Sequence, residues 1–102
     1  MAAGTLADQK KTLDAAATIA RVFPHLPGAV IKASHIYPGR LDISLHDDVG
    51  DFEAWRVALG MLPEWVEQGA QPGSMVLTAS GRFAGVEVEL TGYAPLLEAV
   101  AS

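Results

Sequence analysis

The sequence predicts an α+β two-layer sandwich, ordered α-β-β-α-β-β with a short C-terminal helix, in which a four-stranded antiparallel sheet carries its helices on one face. Three observations predict it. Two stretches place apolar residues at helical spacing, and each precedes a pair of alternating stretches joined by a Gly-containing turn. Each alternating pair has one apolar and one polar side, as a sheet covered on a single face requires. The second half also reads as a worn copy of the first. Ala33-Ser34-His35-Ile36-Tyr37-Pro38-Gly39-Arg40-Leu41-Asp42-Ile43-Ser44-Leu45 lies beside Ala79-Ser80-Gly81-Arg82-Phe83-Ala84-Gly85-Val86-Glu87-Val88-Glu89-Leu90, with Arg40 extra. Upstream, Gly4-Thr5-Leu6 meets Gly50-Asp51-Phe52, Leu13 meets Leu59, and Pro27-Gly28 meets Pro72-Gly73. Such self-similarity implies units 5–47 and 48–92 related by a pseudo-two-fold axis within a single domain, 1–102.

The first helix opens at Thr5, with Asp8 completing a capping box. Leu6, Leu13, Ala16, Ala17, Ala20 and Phe23 form its expected buried stripe, leaving Ile19 and Val22 off it. Pro24 stops the helix and Pro27-Gly28 turns the chain. The first hairpin then runs over residues 30–37 and 41–46 around Pro38-Gly39-Arg40. A three-residue turn puts Ile31, Ala33, His35, Tyr37, Leu41, Ile43 and Leu45 on one face, and sets His46 opposite Lys32. The second helix starts at Asp48 or Asp51, buries Phe52, Trp55 and Leu59, and stops at Gly60. The second hairpin turns at Ala84-Gly85. Leu77, Ala79, Gly81, Phe83, Val86, Val88 and Leu90 share one face, with Arg82 opposite Glu87 as an ion pair on the other. Pro95 begins the short terminal helix through Leu96, Leu97 and Val100.

With 102 residues, half of them apolar and 19% charged, the chain suits one compact core and not a disordered segment. It has no Cys, which removes disulfides and thiolate metal sites from consideration. A net charge of −5 with seven scattered Lys and Arg opposes nonspecific attraction to nucleic acid or anionic membrane. Asp8, Lys10, Lys11 and Asp14 interrupt the N-terminus where a signal peptide needs an apolar core, and no stretch is apolar enough for a membrane span. The expectation is a soluble cytoplasmic protein.

No chemical motif can be assembled. The cluster His46-Asp47-Asp48-Val49-Gly50-Asp51-Phe52-Glu53 lacks the later ligand positions of an EF-hand, and helix capping accounts for its acids. The histidines have no His-x3-His spacing, and the dispersed glycines make no phosphate loop. No catalytic residue, cofactor or metal is therefore expected. The unusual segment is 61–66, where Gly60 and Pro63 break the helix that the first unit keeps whole, yet Met61, Leu62, Trp65 and Val66 remain. A long apolar connection suits a partner site. The expected function is a non-catalytic protein–protein interaction or regulatory module that self-associates, as a homodimer, through these four residues. A small-molecule binder or small enzyme with a pocket beside His35 is the alternative. A nucleic-acid-binding saddle is a third reading, which Glu87 and Glu89 on the open face oppose.

Overall fold

The computed structural model describes residues 4–46 and 48–95. Its elements are α1 (Leu6–Val22), β1 (Val30–Ala33), β2 (Arg40–Leu45), α2 (Val49–Ala58), a 3-10 turn (Pro63–Trp65), β3 (Glu67–Gln71), β4 (Ser74–Phe83) and β5 (Val86–Pro95). The terminal helix expected after Pro95 lies outside the described residues.

The α+β class holds, with two helices and one sheet, but the sheet is five-stranded and mixed rather than four-stranded and antiparallel. Its order is β1-β2-β5-β4-β3. The hairpins meet along β2 and β5, which run parallel, with Leu41 beside Val88, Ile43 beside Leu90 and Leu45 beside Gly92. That register sets apolar side chains of both hairpins on one face. The extra strand, β3, has the sequence Glu-Gln-Gly-Ala-Gln, which lacks both alternation and β-branched residues. Pairing with β4 across the Pro72-Gly73 turn forms it, and Gly73 takes the left-handed conformation (φ +79°) that a type II turn needs there.

Both helices cover the same face. Ala15 and Ile19 of α1 and Phe52 and Trp55 of α2 share one core with Leu41, Ile43, Leu45, Ala79, Val86, Val88 and Leu90. This arrangement does not confirm the expected two-fold repeat. A rotation that carries β1 and β2 onto β4 and β5 must turn the sheet over, because the hairpins sit back to back with β2 and β5 parallel. It would place the two helices on opposite faces. The strand order thus differs from the one expected for units 5–47 and 48–92 related by such an axis.

The turn at Ala84-Gly85 is as expected: both residues have positive φ (53° and 78°), the type I′ geometry that matches strand twist. The first hairpin is different. Ala33 pairs with Leu41 and Lys32 with Asp42, so residues 34–39 form a longer loop. The shift is even, so Ile31, Ala33, Leu41, Ile43 and Leu45 keep their common face. His35 and Tyr37 leave the strand and are exposed, and Lys32 no longer faces His46.

Helix α1 also lies rotated from its expected setting. Thr12, Ala15 and Ile19 are buried, whereas Leu6 is 72% and Leu13 43% exposed. Ala17 and Ala20 are exposed, and Ala16 and Phe23 half-buried. Polar anchors set the rotation. The Gln9 amide donates to the Ala33 carbonyl, and the fully buried Thr12 hydroxyl donates to the Pro38 carbonyl. Burying Leu6 and Leu13 instead would strand both carbonyls. The Thr5–Asp8 capping box is present.

Asp48 is the cap of α2, accepting from Gly50 N at 3.1 Å. Gly60 follows the helix with φ +72°. Asp48→Ala should lower stability by ~0.5–2 kcal/mol in urea denaturation, with the slope of the transition unchanged.

Candidate functional site

The segment after α2 is clasped by one side chain. Arg56, with only 11% of its side chain exposed, donates through Nε and Nη2 to the two carboxylate oxygens of Glu53 at 2.9 and 2.8 Å. Its Nη1 donates to the Met61 carbonyl at 2.7 Å. The Glu53–Arg56 spacing is that of neighbours on a helix face. The hydrogen bond from Arg56 holds the Glu53 carboxyl below the usual carboxylate range. Such a lowered pKa adds stability at neutral pH that disappears as pH falls through it. The clasp carries the chain out of α2 and turns Met61 inward.

Of the four residues expected to bind a partner, the structure separates two from two. Met61 is 3% exposed and belongs to the core, a correction to its expected place on the surface. It fits there because Gly81 lies beneath it: a Cβ on Gly81 would sit 3.2 Å from Met61 Cγ. Val66 is half-buried against the same core. Leu62 and Trp65 stay 45% and 47% exposed on the 3-10 turn that Pro63 starts. Beside them an open cleft of about 560 Å³ runs between Leu59, Met61 and Trp65 on one side and Ser80, Gly81 and Arg82 on the other.

A second cleft, also about 560 Å³, lies between the end of α1 and α2, lined by Phe23, His25, Leu26, Pro27, Glu53 and Val57. One of these residues, Pro27, is tied to α2 by the Trp55 indole, which donates to its carbonyl at 2.9 Å. A third hollow, of about 350 Å³, is formed by Tyr37, Pro38, Arg40, Arg82 and Glu87. His35 lines none of the three. It is exposed, and its carbonyl accepts from Gly4 N.

The open face of the sheet is polar and largely self-neutralised. The Arg40 guanidinium lies over the Tyr37 ring at 4.7 Å and within 3.7 Å of Glu89. Asp42 is 3.0 Å from Arg40 Nε but out of line with its N–H, so the attraction is ionic without a directed hydrogen bond. Arg82 and Glu87 are cross-strand neighbours, yet the Arg82 guanidinium donates to the Gly85 carbonyl at 2.8 Å. The expected Arg82–Glu87 ion pair is absent among the described residues. His46 stacks on Tyr93, with ring centres 4.9 Å apart and planes 7° from parallel. Of the acidic cluster, Asp48 is committed to capping, and Asp47 lies outside the described residues. No three His, Asp or Glu converge as a metal site among the described residues.

The expectations drawn from sequence missed the Gln9 and Thr12 anchors and the Arg56 clasp. Only the last left a trace there, the Glu-x-x-Arg spacing inside a predicted helix. No described helix is long and apolar enough to cross a membrane. Comparison with protein-family models, with curated proteins and with solved structures found no match.

Proposed function

We propose that this protein is a non-catalytic interaction module that associates with another copy of itself, and with protein partners, through the surface around Leu62 and Trp65. One observation carries the reading. Two large apolar side chains stand half-exposed on a short turn whose position is clamped by Arg56 and plugged by Met61. A rigid, preformed aromatic anchor loses little conformational freedom on binding, which is why Trp is enriched where interfaces concentrate their energy. The neighbouring cleft gives such a contact depth.

The test is Trp65→Ala. A side chain only half-buried contributes modestly to folding, so the variant should melt close to the parent. Its self-association, followed by light scattering or sedimentation, should weaken by ~2 kcal/mol or more. Unfolding of the variant would make Trp65 a structural residue, and undiminished association would place the contact elsewhere.

A further inference from the structure

Among the described residues the sheet ends in two free edges, and they are not alike. β1 is short, bears Lys32, and has its Ala33 carbonyl already taken by the Gln9 amide. Those features discourage strand addition. β3 is one residue longer, and among the described residues none of its outward carbonyls is taken by a side chain. All five of its residues are exposed, with neither Lys nor Pro among them. Gln71 and Ser74 flank a two-residue turn, so theirs is a hydrogen-bonded pair and the pattern alternates away from it. Gln71, Gly69 and Glu67 thus direct their backbone groups at β4. Gln68 and Ala70 direct theirs outward, into no strand among the described residues.

We infer that two copies of this chain join through β3, antiparallel about a two-fold axis at Gly69, into one continuous sheet. The inference rests on the self-association reading above and says which backbone carries it. The register follows from the sequence Glu-Gln-Gly-Ala-Gln. Centring on Gly69 sets Gln68 opposite the partner's Ala70, so the outward N–H and C=O groups of both chains meet as hydrogen-bonded pairs. Glu67 falls opposite the partner's Gln71, a carboxylate facing an amide, and no two like charges are opposed. Gly69 meets itself at the axis, where a Cβ would have nothing within 4 Å in the single chain. The Trp65 end of each strand is brought to the partner's Pro72-Gly73 turn, so the exposed indole and the open edge form one surface. Alternation puts Gln68 and Ala70 on the helix-covered face and Glu67, Gly69 and Gln71 on the polar one, and the pairing preserves those faces across the junction.

Two variants test it. Ala70→Pro removes an N–H that the single chain does not use, at an edge position where Pro is tolerated. It should leave melting nearly unchanged and weaken dimerisation in sedimentation by about thirtyfold, since two symmetric inter-chain bonds are lost. Gly69→Cys gives a chain with no other Cys one thiol on the axis. Non-hydrogen-bonded antiparallel neighbours lie ~4.5 Å apart at Cα, within disulfide reach, so this variant should oxidise to a covalent dimer. Val57→Cys, on exposed helix surface, should not. A dimer that resists Ala70→Pro and does not cross-link at Gly69 would overturn this inference while leaving self-association intact. A parent chain that stays monomeric would overturn both. Slow hydrogen exchange at the Gln68 and Ala70 amides of a monomer would show the edge covered by its own chain, and would also overturn it.

Discussion

Phe52→Ala should cost ~3–5 kcal/mol and leave much of the population unfolded, because domains of this size have only ~5–15 kcal/mol to lose. Phe52 is fully enclosed and is the largest of the side chains with no exposed surface. It ties α2 to the middle of the sheet, lying against Gly92 on β5 beside the parallel junction with β2. The neighbours cannot collapse into the space it would vacate, since strands on both sides are held in register. Urea denaturation followed by far-ultraviolet circular dichroism measures the loss. A cost below ~1.5 kcal/mol would mean that α2 is not seated as described.

The second large effect is expected from adding atoms. A Cβ on Gly92 would lie 2.9 Å from Phe52 Cδ2 and 3.1 Å from its Cβ. The contact with Cβ cannot be relieved by turning the ring, so α2 itself must lift. Gly92→Ala should therefore destabilise by ~1–3 kcal/mol despite being the smallest substitution available. Pairing it with Phe52→Leu should restore part of the loss, giving a coupling energy of the size seen between touching residues, ~0.5–3 kcal/mol. Strict additivity of the two changes would show that the residues do not meet.

Much of the local structure is written in short stretches of sequence. Thr5 and Asp48 cap their helices, Gly60 ends the second, and Ala84-Gly85 closes its hairpin, because each depends on groups only a few residues apart. Faces were equally legible where alternation was clean: Leu41, Ile43, Leu45, Val86, Val88 and Leu90 are all buried. The setting of α1 was not legible. Leu6, Leu13, Ala17 and Ala20 make a plausible stripe, and hydrophobic spacing cannot anticipate that the Ala33 and Pro38 carbonyls would need Gln9 and Thr12. Strand β3 was hidden for a related reason, since its pairing with β4 is formed by the turn and not by its own composition. In the candidate site, the break at Gly60 and Pro63 was visible, but its division into buried Met61 and exposed Trp65 depended on Gly81, twenty residues away.

By itself, then, the sequence determined the class, the order of the main helices and hairpins, and which strand faces are apolar, because those follow from caps, turns and periodicity acting over one or two turns of chain. Tertiary structure alone decided that the hairpins meet in parallel, that both helices share one face, and that β3 is an edge beside Trp65 among the described residues. These depend on contacts between residues far apart in the chain. Two halves alike in pattern can be joined in several ways that bury similar apolar area, and only the fit of particular pairs, such as Phe52 on Gly92 and Met61 on Gly81, selects among them.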